Sequence, residues 1–152
     1  MGRQSLVLLS KPDATLIYKS KPIRVDHWYS NAQHIHTIQI VASNFRGLVS
    51  IEASIMNNPL EKDWFHIPLN GHPYVEYPRS LDNTIRAYVP IDLNNTGTGI
   101  NAMGETSTVS FSFNGRFVWM RAKIDRSTVV PMDASPLMIA QVGIIDRILL
   151  NI

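Results

Sequence analysis

The stretch Leu48-Val-Ser-Ile-Glu-Ala-Ser-Ile55 decides how the chain is read. Val49, Ile51, Ala53 and Ile55 alternate with Ser50, Glu52 and Ser54, and a period of two puts each set on its own face of an extended strand. One face is expected in a core, the other against solvent or a partner. Working outward, similar runs recur over Ser5–Leu9, Ile23–Trp28, His34–Val41, Trp64–Ile67, Ile85–Val89, Thr106–Phe113, Phe117–Ile124 and Val142–Ile152. Pro, Gly and Asn separate them, and helical periodicity is nearly absent. Val142, Ile145, Leu149 and Ile152 have helix-like spacing, but the β-branched content and shortness of that run favour a strand. The expected fold is all-β: a two-sheet antiparallel β-sandwich, jelly-roll or Ig-like, with extended terminal strands.

Length and composition set the frame for that sandwich. A chain of 152 residues with 45% apolar residues is enough for one domain with a sizeable core. It is expected over residues 13–152, preceded by an N-terminal arm over 1–12. Charged residues make up only 17%, against a usual share of about 25%. The absence of cysteine excludes disulfide scaffolds, Cys-type zinc sites and thiol catalysis. A net charge of +2 with no basic cluster gives no electrostatic grip on nucleic acid. The apolar run Leu6–Leu9 is too short for a signal peptide, and no uninterrupted apolar stretch is long enough to span a membrane as a helix. A protein without nucleic-acid or membrane partners is expected.

The strongest local signal lies in Val109-Ser-Phe-Ser-Phe-Asn114-Gly115-Arg-Phe-Val-Trp-Met-Arg-Ala-Lys-Ile124. Asn-Gly between two alternating runs predicts a type I′ hairpin, with Phe113 facing Arg116, Ser112 facing Phe117 and Phe111 facing Val118. Val109, Phe111, Phe113, Val118, Met120, Ala122 and Ile124 then share the core face. The other face carries Ser110, Ser112, Phe117, Trp119, Arg121 and Lys123, an aromatic and cationic strip that needs a cover or a partner. Three long connections, 57–63, 92–104 and 126–136, join the runs, the second long enough to be functional.

Residues able to carry chemistry are few. His34 and His36 leave one face of a strand, as a two-histidine metal site requires. A cupin needs a glutamate four or five residues on, where Ile40 and Val41 stand instead; a trimer pooling His-x-His about an axial metal is the remaining variant. Glu52, Glu61, Asp63, Glu76 and Asp82 show no spacing that pairs two carboxylates for glycoside chemistry. No Gly-x-Ser-x-Gly elbow is present, and Gly97, Gly99 and Gly104 precede neither a Lys nor a helix. No enzyme and no cofactor are expected. Trp28, Tyr29, Trp64, Phe65, Phe117 and Trp119 are the material for either a sugar-stacking platform or a buried contact. Trp64 and Phe65 are adjacent, so one of them must look away from the core.

LVSIEASIMNNPLEKDWFHI from Leu48 to Ile67, FSFNGRFVWMRAKIDR from Phe111 to Arg126 and the closing ILLNI resemble small β-rich virion proteins of tailed bacteriophages, especially T4-like marine cyanophages. The resemblance covers roughly half the chain and is carried by Val49, Ile51, Ala53, Ile55, Asp63, Trp64, Phe65, Ile67, Gly115, Phe117, Val118, Trp119, Arg121 and Ala122. It implies a structural part of the particle, in capsid, neck, tail or baseplate, assembled in the host cytoplasm, and it carries over no catalytic residue. With the sandwich, it leads to a non-enzymatic assembly protein that forms homo-oligomers and joins other virion structural proteins. Strand addition at apolar edges and termini is the expected mechanism. The interface is expected at Phe117, Trp119 and Arg121 and at Leu6, Leu8, Ile148 and Leu150 in the terminal segments. The alternative is a carbohydrate-binding module for host adhesion, with glycan contacts at Trp28, Trp64, Asn94 and Asn95.

Overall fold

The computed structural model describes residues 5–26, 35–77, 104–130 and 139–151. The strand expected over 85–89 and most of the connection 92–104 lie outside them. The strands are β1 (Ser5–Ser10), β2 (Ile17–Lys19), β3 (Ile23–Arg24), β4 (Ile35–Phe45), β5 (Gly47–Ser54), β6 (Phe65–His66), β7 (Val75–Tyr77), β8 (Glu105–Asn114), β9 (Trp119–Asp125) and β10 (Ile144–Asn151). They form two antiparallel sheets. One has the order β1-β10-β4-β8; the other runs β2-β9-β5-β6, with β3 also on β9 and β7 also on β5. The fold is the all-β sandwich that the alternation predicts, and the closing segment is a strand. β2 and β7 are too short for a period of two to announce them.

Alternation explains which side chains meet between the sheets. Ile38 and Ile40 of β4 lie opposite Leu150 and Ile148 of β10, and all four are buried. From the facing sheet, Val49, Ile51 and Ala53 of β5 lie opposite Ile124, Ala122 and Met120 of β9, also buried. These residues belong to one continuous hydrophobic cluster. Each fully buried aliphatic side chain contributes roughly 1.5–3 kcal/mol, which makes this cluster the main source of stability.

The termini differ from the expectation of free arms. β1 pairs with β10, Leu6 opposite Leu150 and Leu9 opposite Ile148, with a bulge between Val7 and Leu9. Leu8, Ile148 and Leu150 are buried in the chain's own core and Leu6 is half-buried. The apolar content that reads as an arm for a neighbour is used within the molecule, because the two ends complete one sheet together.

The Asn114-Gly115 connection also differs. It is no hairpin, because β8 pairs with β4 in one sheet and β9 with β5 in the other. By Val118 the chain has already joined the second sheet, donating its N–H to Ser54 (2.9 Å) and accepting from Val25 (2.8 Å). The crossing is fixed at Gly115, where His36 Nε2 donates to the carbonyl across 2.9 Å; a carbonyl only accepts, so the bond places a proton on Nε2. Gly115 adopts φ +151°, and a Cβ there would stand 2.4 Å from the Phe117 ring. Phe117 closes this end of the sandwich, its centroid 5.9 Å from those of His36 and Phe65. The face assignments of Val109, Phe111, Phe113, Met120, Ala122 and Ile124 nevertheless stand, since alternation is a property of each strand by itself. Phe117 precedes β9 and escapes it.

Gly115→Ala is therefore expected to cost about 1–3 kcal/mol, the range for a residue forced into a strained backbone region. It should appear as a lower denaturation midpoint with an unchanged slope; an unchanged midpoint would contradict the crossing geometry.

Candidate functional site

The outer face of the second sheet carries a connected set of polar and aromatic side chains. β5 and β9 pair with Glu52 opposite Arg121 and Ser54 opposite Trp119, while β6 places His66 opposite Glu52. Cross-strand partners project from the same face. Arg121 Nε donates to Glu52 across 2.7 Å, and both side chains are 8% exposed. On its other side Arg121 Nη2 reaches Glu61 at 2.8 Å, and Lys19 also donates to Glu61. His66 Nε2 lies 3.4 Å from Glu52. A chain of alternating charge thus runs from Lys19 through Glu61 and Arg121 to Glu52, with the His66 ring beside its end.

A single connection, 55–64, covers this face. Its 3-10 turn, Glu61–Asp63, is closed by the Asp63 carboxylate accepting from the Leu60 N–H at 2.7 Å, as acidic residues do at helix starts. The turn presents Glu61 to Arg121, and the chain then lays Trp64 over the guanidinium, 4.1 Å from carbon to ring centroid. Such a contact is worth about 0.5–2 kcal/mol, more when desolvated. Further along, Trp119 Nε1 donates to the Asn57 carbonyl at 3.0 Å. Arg24 holds the Asn57 side chain at 2.9 Å and sits 5.5 Å from the Trp119 ring centroid.

Electrostatics follow from this packing. Hydrogen bonds from Arg121 and then Lys19 hold the Glu61 carboxyl well below its ordinary value of 4.5, lowered to about 2. Burial works against the charge on Arg121, but the bonds to Glu61 and Glu52 outweigh it and raise its pKa. Of the strip that the sequence leaves in need of a cover, Arg121 and Trp119 find it inside the chain: Arg121 is shut away with Glu52, and Trp119 is half-buried, while Ser110 and Ser112 stand on β8 in the other sheet. That corrects Arg121 as a contact for a partner. Sequence offered no route to the cover, because Glu52 and Glu61 lie 69 and 60 residues from Arg121.

What stays open here is a groove of about 430 Å³, walled by Pro22, Pro59, Trp64 and Trp119, with Lys21, Glu61 and Arg121 as its polar members. It joins Trp64, named for glycan contact, to Trp119, named for an interface. Trp28, Asn94 and Asn95 lie outside the described residues. Trp64 looks outward and Phe65 is on the inner side of β6, opposite Ala53, which meets the requirement that the two diverge. His34 is also outside the described residues. His36 is 1% exposed and spends Nε2 on Gly115; among the described residues no three His, Asp or Glu side chains converge as a metal site needs.

Edges form the second candidate surface. β2, β6 and β7 are two or three residues long, and β1 is interrupted by its bulge; both devices keep edges from pairing with other chains. β8 has neither. It runs ten residues, ETSTVSFSFN, pairs without a break from Ser107 to Asn114 with β4, and among the described residues has no strand on its other side. From Thr106 to Asn114 it contains no charge, proline or glycine. Its outer row, Thr106, Thr108, Ser110, Ser112 and Asn114, is exposed, and its inner Val109 and Phe111 are only half-buried, where their β4 counterparts are fully covered. Among the described residues, the core is open toward this edge.

Compared with known families and curated proteins, the chain matches no family model and no curated sequence.

Two measurements check the covered strip. Arg121→Leu is expected to destabilise by about 3–5 kcal/mol, because the buried Glu52 loses its guanidinium partner and keeps only the more exposed His66 ring at 3.4 Å, with Glu52→Leu/Arg121→Leu recovering part of the loss; a double variant as unstable as the single would contradict it. In an NMR titration the Glu61 carboxyl should titrate near 2. Since its folded pKa is the depressed one, the stabilisation is present above pH 4.5 and lost as pH falls toward 2; titration at the ordinary value would show that the cover is not held.

Proposed function

We propose that this protein is a non-enzymatic structural part of a tailed-phage virion, located in the particle after assembly in the host cytoplasm, and joined to its neighbours by strand addition. The observation that carries this reading is the β8 edge: long, uncharged from Thr106 to Asn114, rich in β-branched and aromatic residues, and without a strand on one side among the described residues. Backbone N–H and C=O groups along such an edge supply affinity, and alternate side-chain positions supply specificity. The sequence resemblance to small phage virion proteins supplies the setting. With its own terminal strands paired and Arg121 covered within the chain, the molecule meets partners through β8.

The test is incorporation into particles. Thr108→Lys/Ser110→Lys changes two exposed positions, so the domain should fold with a stability within about 0.5 kcal/mol of the parent. Lysine is the residue that natural edges use against pairing. Particles assembled in cells supplying only this variant should contain at least tenfold less of it; wild-type incorporation would overturn β8 as the joint.

The groove between Trp64 and Trp119 favours a second reading, a carbohydrate-binding module for host adhesion. Two indole rings beside Lys21 and Glu61 offer apolar faces and polar groups of the kind that seat a sugar ring. A glycan array probed with the purified protein distinguishes the two: binding that Trp64→Ala abolishes supports the module, and an array without hits removes it.

A further inference from the structure

Building on the assembly role proposed above, we infer that β8 pairs antiparallel with β8 of a second copy of this chain, about a two-fold axis at Ser110. The two four-stranded sheets then become one continuous sheet.

Self-pairing is selected by the pattern of the strand. In an antiparallel pair, directly opposed residues share a face, so only registers that match outer row to outer row keep both cores on one side. Centring on Ser110 is the register that uses all of Thr106–Asn114. On the outer face it sets Thr108 against Ser112 of the partner copy and Thr106 against Asn114, hydroxyls and an amide without charge. On the inner face it sets Val109 against Phe111, the β-branched and aromatic combination that cross-strand pairing rewards. Those inner residues are the half-buried ones, so the pairing covers apolar surface that the described residues leave open. Charge agrees with the direction. Glu105 begins β8 and Arg116 stands two residues past its end, so antiparallel pairing brings the acidic end of one copy beside the basic end of the other. A parallel pairing would set like charges together. Closed two-fold pairing also consumes the edge on both copies, which keeps it from growing into an open stack.

The absence of cysteine makes the test direct. In Ser110→Cys the two thiols face each other across the axis, with Cα atoms about 4.5–5.5 Å apart, a spacing a disulfide spans. In Thr106→Cys they stand roughly 27 Å apart along the strand. With oxidised glutathione, Ser110→Cys should convert most of the chain to a covalent dimer on a non-reducing gel, and Thr106→Cys should stay monomeric. A charge exchange checks the register: Thr108→Lys/Ser112→Lys should abolish the dimer in sedimentation, and Thr108→Lys/Ser112→Glu should restore it. A monomeric Ser110→Cys, equal cross-linking of both cysteine variants, or equal behaviour of the two charge variants overturns the inference. If Ser110→Cys stays monomeric while Thr108→Lys/Ser110→Lys is still lost from particles, the self-pairing is wrong and the assembly role stands on a different partner chain.

Discussion

The register of β5 against β9 is the constraint on which the rest of the structure depends. Ile51 lies opposite Ala122 and, one residue on, Glu52 lies opposite Arg121. The first pair faces the core and the second faces outward. Because side chains alternate with a period of two, a slip of one residue would drive the ion pair into the hydrophobic cluster and the aliphatic side chains into solvent. The outward pair has its own consequence. Arg121 binds Glu52 with one side of its fork and Glu61 with the other, and so ties a distant connection down over the sheet. Trp64 completes the cover from above. One arginine therefore links the strand register to the cover that the 55–64 connection lays over this face.

Closing that face changes where the molecule can meet others. An aromatic and cationic strip on a strand reads as a contact for a partner, yet here the charge of Arg121 is compensated internally by Glu52 and Glu61. The low charge share has a related meaning. Two further arginines, Arg46 and Arg126, are inside the fold, the latter held by the carbonyls of Thr15 and Gly143 and set over the Phe45 ring. Part of the small complement of charge is thus invested in tying the chain to itself, and the open edge at β8 receives none between Thr106 and Asn114. An uncharged edge of that length resists nothing, whereas β1 is broken by a bulge and the other edges among the described residues are short.

Much of the fold was legible because alternation is local. The faces of Leu48–Ser54, of Val109–Phe113 and of Met120–Ile124 can be assigned without knowing which strands they pair with. Pairing is not local, and there the strongest sequence signal misled. Asn114-Gly115 has hairpin chemistry, but a hairpin needs β9 to have a free edge for β8, and β9 is flanked by β5 on one side and by β2 and β3 on the other. The glycine is used for its backbone freedom at a crossing between sheets, and the bond from His36 to its carbonyl joins residues 79 apart. The site was legible only in part for the same reason: Trp64, Trp119 and Arg121 stand out by type, while Glu52, Glu61 and Lys19, which decide what those residues do, are brought in by the fold.

The central claim, that β8 is the surface through which this chain joins others, is tested most directly by backbone amide hydrogen exchange along Thr106–Asn114, measured in dilute solution and in assembled particles. Edge amides that point away from β4 exchange freely unless another strand accepts their hydrogens. In dilute solution fast and slow amides should alternate along β8, and in the assembly the fast set should slow by at least a hundredfold while the core of β5 and β9 is unchanged. Fast exchange at the same alternate positions in both states would contradict the account.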